Sequence, residues 1–213
     1  MVDAFNWYFV LLHLLCTFKS TTLKPSINIS DQLFEGIQYH ETGLHCGEYD
    51  HCTFKGCIFS QVDLSYSIFT SCRFENCDLS NAKINGTAFR QVVFKECKML
   101  GLRFDLCNTF LLSFAFDHCL LNFSSFYLLK IKNTQFRSCT LQEVDFSECD
   151  LTKSSFAESD LSGAIFDQTN LEQADFATAY HFNIIPENNK ILKAKFSKQN
   201  IEGLLSHYKI IIE

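Results

Sequence analysis

CDLTKSSFAESDLSGAIFDQTNLEQADF, residues 149–176, obeys a rule of five: Leu151, Phe156, Leu161, Phe166, Leu171 and Phe176 are large and apolar, and mostly short polar residues fill the intervals. A period of five suits neither the 3.6 of an α-helix nor the 2 of a flat strand. Counting back by fives from Leu151 meets Phe146, Leu141, Phe136, Ile131, Phe126 and Leu121. After a gap of seven between Phe114 and Leu121, the rule resumes through Phe104, Met99, Phe94, Phe89, Ile84, Leu79, Phe74, Phe69, Leu64, Phe59 and Phe54. Two residues before these centres lies a second set that is small, apolar or thiol-bearing. It includes Cys52, Cys57, Val62, Cys72, Cys77, Ala82, Val92, Cys97, Cys139, Val144, Cys149, Ala164 and Ala174.

Both sets are expected to point inward and the other three residues of each five outward, so the chain must turn a corner every five residues and four corners close a square coil. Residues twenty apart then stack. Leu121, Leu141 and Leu161 form one column; Phe126, Phe146 and Phe166 another; Ile131, Leu151 and Leu171 a third; Phe136, Phe156 and Phe176 the fourth. In the first half Phe54, Phe74, Phe94 and Phe114 are expected to do the same, with the register shift placed at 115–120. The expected fold is therefore all-β, a right-handed quadrilateral parallel β-helix with a short C-terminal helical cap. A solenoid exposes apolar surface and backbone at its ends, which makes a cap obligatory.

These features divide the chain into an N-terminal extension, 1–33, a β-helix over 34–181 and a cap over 182–213. In the cap, Pro186-Glu187-Asn188-Asn189 reads as a turn, Ala194-Lys195-Phe196 as one last repeat and Ser197 as the N-cap of a short helix. Ile201, Leu204, Leu205 and Tyr208 would line its apolar face, and Lys209–Glu213 reads as an edge strand.

Cys149-Asp150-Leu151-Thr152-Lys153, Ser159-Asp160-Leu161-Ser162-Gly163, Thr169-Asn170-Leu171-Glu172-Gln173 and Ala174-Asp175-Phe176 resemble the A-(D/N)-L-X-X motif of the pentapeptide-repeat proteins. About two-thirds of the chain carries the resemblance. It implies a binding rod rather than an enzyme, and distant similarity to the quinolone-resistance (Qnr) branch implies mimicry of DNA and binding to a type II topoisomerase such as DNA gyrase. For Ile201, Leu204, Leu205 and Tyr208 it adds, beside a simple lid over the last coil, the alternative of a homodimer through the C-terminal end. The Qnr-like proteins project loops from the coil, and the regular register here leaves no room for a long one.

The net charge of -6 opposes direct binding of nucleic acid, which needs Lys and Arg to displace counterions. Between Glu143 and Asp175 the chain holds Glu143, Asp145, Glu148, Asp150, Glu158, Asp160, Asp167, Glu172 and Asp175 against Lys153 alone, a local balance of -8. Such a stretch could be steered into a basic groove on a protein partner. The plainer alternative is a structural or scaffolding rod, whose outward positions are solvated and whose motif favours Asp or Asn.

No GxSxG, HExxH, GxxxxGK[ST] or GxGxxG occurs, so no catalytic residue and no cofactor is expected. His40, His45, Cys46, His51 and Cys52 mix metal-ligand types, but the register turns Cys52 inward and Cys46 and His51 outward, so no metal site is expected. The eleven cysteines follow the repeat and form no CxxC pair, which favours thiols in a reducing, cytoplasmic compartment. Ala4–Phe18 (AFNWYFVLLHLLCTF) is apolar but shorter than the ~20 residues that span a bilayer. It carries the alternative of export or anchoring, with 4–18 as the signal.

Overall fold

The computed structural model describes residues 27–211; the apolar run at 4–18 lies outside them. The chain winds as a right-handed parallel β-helix. One side of the coil is a sheet of β1 (Ile27–Ser30), β3 (Gly47–Asp50), β5 (Ile68–Thr70) and β7 (Ala88–Arg90), all parallel. Another is the parallel sheet of β2 (Leu33–Glu35), β4 (Thr53–Lys55), β6 (Arg73–Glu75), β8 (Val92–Lys95), β9 (Phe114–Asp117) and β10 (Gln135–Arg137). Elsewhere single bridges twenty residues apart hold the coils together, as in Asp150↔Asn170 and Asp160↔Tyr180.

Most corners share one backbone conformation. From Gln61 to Gln91 and again from His118 to Lys153, every fifth residue is left-handed, with φ between 50° and 63° at the non-glycine positions. Each lies two residues after an inward centre, where a left-handed residue turns the chain through a corner. Asn, Gln and Glu predominate there, and Asn tolerates this region better than most side chains.

The inward side chains stack as the period requires. Phe126, Phe146 and Phe166 stack with ring centroids 5.2 Å apart. On the opposite side Phe116, Phe136, Phe156, Phe176 and Phe196 stack at 4.6–5.3 Å. The two columns meet edge to face across the axis at 5.7–6.1 Å, the arrangement that the ring quadrupole favours. The second inward set is buried as well, Cys52, Cys57, Val62, Cys72 and Cys77 among it.

Three boundaries differ from the sequence expectation. First, the shift is not at 115–120. Phe94 pairs with Phe116 and Lys95 with Asp117, whereas Asn108 still follows Thr87, so the two extra residues fall within Asn108–Ser113. Phe116 therefore continues the Phe94 column, and Phe114 takes the second inward position, its ring 5.5 Å from Phe104 and 5.0 Å from Phe116. Both phenylalanines satisfy an inward site, so spacing alone could not choose between them.

Second, pairing starts before Phe34, since Ile27–Ser30 pairs with Gly47–Asp50. Gly47 permits this approach, because a Cβ there would stand 2.4 Å from the Ile27 carbonyl oxygen. Third, the ladder runs past 181, through Asn170↔Lys190 and Asp175↔Lys195, and Phe196 stacks on Phe176 at 5.3 Å. Beyond Phe196 the chain forms two 3₁₀ turns, Ile201–Leu204 and Ser206–Tyr208, rather than one amphipathic helix. Gly203 presses against Phe182 and weakens helix propagation, which breaks the segment into short turns. Leu204 is buried and Leu205 half-buried, but Ile201 and Tyr208 are exposed. Ser197 does not cap; Asn200 does the bonding, donating from Nδ2 to the Phe176 and Ala179 carbonyls at 3.0 and 2.8 Å. Lys209 is left-handed and no strand forms over 209–211, while 212–213 lie outside the described residues.

Candidate interaction surface

The acidic residues of 143–175 occupy two structurally different positions. Asp145, Asp150, Asp160 and Asp175 stand just before an inward centre, and each carboxylate accepts the backbone N–H two residues on, at 2.9–3.2 Å. Asn170 does the same for Glu172 at 3.1 Å, and Asp78 for Ser80 at 2.9 Å. This side-chain turn explains why Asp or Asn recurs at that place in the repeat. Glu143, Glu148 and Glu158 are instead left-handed corner residues with exposed side chains.

Twenty-residue pairing spreads the nine carboxylates over all four sides of the coil, so they do not form one acidic face. Two are neutralised by lysines and a third is held by a histidine ring. Asp150 pairs with Lys132 at 3.1 Å, Asp160 with His181 at 3.0 Å and Asp175 with Lys195 at 3.3 Å. Asp160 also accepts Gln142 Nε2 at 2.8 Å. Glu158 accepts the Ser138 hydroxyl at 2.9 Å, and Glu172 lies beside its Asn170 turn.

The side whose inward column is Phe126, Phe146 and Phe166 differs. Asp145, Glu148 and Asp167 lie on it and Glu143 on its leading corner, and among the described residues none of the four forms an ion pair. Their polar contacts are with neutral groups: Glu148 accepts the Tyr127 hydroxyl at 3.0 Å and Asp167 the Asn188 amide at 3.3 Å. In the coil before, the same side carries Phe123, Tyr127 and Leu128, all exposed. Sequence reasoning missed these three. Their signal was large apolar residues at outward places that are polar in neighbouring coils.

Burial opposes ionisation of Asp150, but hydrogen bonds from Thr152 and the Lys132 ammonium outweigh it and hold the carboxyl below its ordinary range. A depressed folded pKa contributes stability above the unfolded value, and that stability is lost as pH falls through the folded one. Asp150→Asn keeps the oxygen that accepts the Thr152 N–H but cannot titrate. Urea unfolding at pH 7 and at pH 3 is expected to show a smaller acid-induced loss of stability for Asp150→Asn than for the parent chain.

The inward thiols are buried and bonded to the main chain. Cys57, Cys77, Cys97, Cys119 and Cys139 form one buried column. The first four donate to a main-chain carbonyl of the coil before at 3.3–3.4 Å. Burial pushes the Cys72 thiol up to about 12. His51 pairs with Asp50 at 3.0 Å, while Cys52 is buried and donates inward to the Ile29 carbonyl at 3.5 Å. His51 and Cys52 therefore do not converge. No helix among the described residues is long and apolar enough to cross a membrane.

A family model described as "Pentapeptide repeat region" matches residues 67–146 and 108–176, and another, "Pentapeptide repeats (8 copies)", matches 50–81. Among curated proteins none matches the sequence. Among solved structures, a trypsin-treated QnrB1, described as a plasmid-mediated fluoroquinolone resistance protein, is similar with a TM-score of 0.70. It is 13% identical, covering 90% of this chain and 95% of that one. A second trypsin-treated QnrB1 gives 0.57 at 14% identity, covering 88% and 100%. HetL of Nostoc sp. strain PCC 7120, a pentapeptide repeat protein involved in heterocyst differentiation regulation, gives 0.43 at 16%, covering 88% and 91%.

Proposed function

The chain belongs to the pentapeptide-repeat family, and from that premise we propose a non-enzymatic binding protein whose acidic rod docks in a cationic groove of a protein partner, a type II topoisomerase such as DNA gyrase. One observation carries this reading: Glu143, Asp145, Glu148 and Asp167 share one side of the rod with no cation paired to them among the described residues. Four carboxylates held on a rigid coil without an ion-pair partner keep the local potential negative, which accelerates encounter with a basic groove and makes binding sensitive to salt. In this reading the protein occupies a site built for DNA phosphates and is itself no nucleic-acid binder. The exposed Ile201 and Tyr208 would serve a homodimer through the C-terminal end.

A scaffolding rod of another partner is the second reading. It is favoured by Asp150, Asp160 and Asp175, whose carboxylates are already committed to corner turns and to Lys132, His181 and Lys195.

The two readings separate on gyrase supercoiling and on direct binding at low salt. Under the topoisomerase reading the parent chain inhibits supercoiling, and Glu143→Lys with Glu148→Lys weakens that inhibition by at least about tenfold. These two glutamates are exposed corner residues, so reversing their charge leaves the turn-forming aspartates intact. No inhibition and no binding by the parent chain would remove the topoisomerase.

A further inference from the structure

Left-handed corners suit Asn, Gly and small polar residues, and a large apolar side chain there is costly in backbone conformation. Among the described residues four corners break that rule: Tyr66, Leu111, Phe123 and Leu128. All four side chains are exposed, so burial does not compensate the backbone cost. Two of them, Phe123 and Leu128, are successive corners five residues apart that bound one side, with Tyr127 between them.

The coil beneath places Glu143 under Phe123 and Glu148 under Leu128. The register is fixed by Phe123 N–H donating to Gln142 O at 2.9 Å, Leu128 N–H to Ser147 O at 3.1 Å and the bridge Ser125↔Asp145. An exposed apolar row thus runs directly above an acidic row, about 4.8 Å away along the axis. Duplex DNA carries phosphates but no such apolar row. Both rows are mounted on rigid coil, so their spacing does not depend on a mobile loop.

We propose that this two-row surface docks a cationic amphipathic helix of a partner protein, its apolar stripe on Phe123, Tyr127 and Leu128 and its adjoining Lys or Arg stripe on Glu143, Asp145 and Glu148. Charge complementarity selects this occupant. A purely apolar partner would leave three carboxylates desolvated without a counter-charge, and a purely cationic one would leave the apolar row unused. The apolar row supplies anchor residues and slows release, and the acidic row steers encounter. The inference rests on the binding role proposed above and narrows it to one side of the rod and one partner chemistry.

The test uses the full chain and a fluorescein-labelled synthetic helix of Leu and Lys, with Leu along one face and Lys along the next, read by anisotropy. Its comparators are a scrambled peptide of the same composition and oligolysine. The segregated peptide is expected to bind at least about tenfold more tightly than either. Tyr127→Ser with Leu128→Asn should weaken it by about tenfold, Asn being at home in the left-handed corner. Glu148→Gln should weaken it several-fold and flatten its salt dependence. Glu158→Gln, on the opposite side, should leave it unchanged, and circular dichroism should be the same for all variants. Equal binding of the scrambled peptide or oligolysine, or equal loss with Glu158→Gln, would overturn the proposal. So would a concentration-dependent dimer in sedimentation that Leu128→Asn dissolves, because the occupant would then be a second copy. Peptide binding without gyrase binding removes the topoisomerase and keeps this surface. Gyrase binding without peptide binding does the reverse.

Discussion

Phe146→Ala is expected to lower the unfolding free energy by about 3–5 kcal/mol, the range for deleting a buried phenylalanine ring from a packed core. The ring is fully buried and stacks at 5.2 Å on Phe126 and on Phe166, one coil to either side. It also meets Phe136 and Phe156 edge to face at 5.7 and 5.8 Å across the axis. Removing it strips contacts from four neighbours whose backbones are pinned by the ladder, so the cavity has little freedom to close. Against a whole-domain stability of about 5–15 kcal/mol that loss is a large fraction. Urea denaturation monitored by circular dichroism measures it, with Phe123→Ala as the comparison. Phe123 is exposed, so its truncation should change stability by no more than about 0.5 kcal/mol. Equal losses at the two positions would mean that the axial ring column does not carry the fold.

The column of rings was legible in the sequence because the inward rule is redundant. Each of Phe126, Phe146 and Phe166 repeats the same statement at the same interval, and misreading one does not alter the others. The location of the extra residues was not legible for the converse reason. Phe114 and Phe116 both fit inward sites, and only the hydrogen bonds that run between coils tell them apart. The cap was obscured by Ile201, Leu204, Leu205 and Tyr208, which match a helical period on paper. Gly203 and its approach to Phe182 broke that period into 3₁₀ turns.

The candidate surface was half legible for a similar reason. Charge can be counted along a chain, so the acidic stretch stood out. Which carboxylates are neutralised depends on residues about twenty positions away, as with Asp150 and Lys132 or Asp175 and Lys195. The apolar row was hidden among the repeat's own hydrophobics. Once each residue has a place in the five, Phe123 and Leu128 stand out as corners, where a bulky side chain has no core to enter.

Deletion mutants distinguish the two placements of the extra residues, and the effect is expected to be as large as that of any core substitution. Removing Phe110 and Leu111 shortens the one long side to five residues; it takes the left-handed Leu111 with it, and Ser113, five residues before His118, is left to turn that corner. Both side chains are exposed, and Cys107 before them and Phe114 after them keep their inward places. That deletion should cost no more than about 1–2 kcal/mol, in the usual range for a single substitution. Removing Asp117 and His118 leaves the Phe116 side three residues long and takes away its left-handed corner. It also removes the His118 N–H bond to Arg137 O at 2.9 Å and the Asp117 carbonyl that accepts Glu96 N–H at 2.8 Å. Water can reach the main-chain groups freed at these surface residues, so the larger loss comes from the fully buried Cys119 and Leu121, which would be pulled out of their columns. The second deletion should therefore abolish the cooperative unfolding transition, or lower its midpoint far more than the first. If the extra residues were instead housed at 115–120, the order would reverse. Thermal melts of the two deletion mutants, run side by side, decide between the placements.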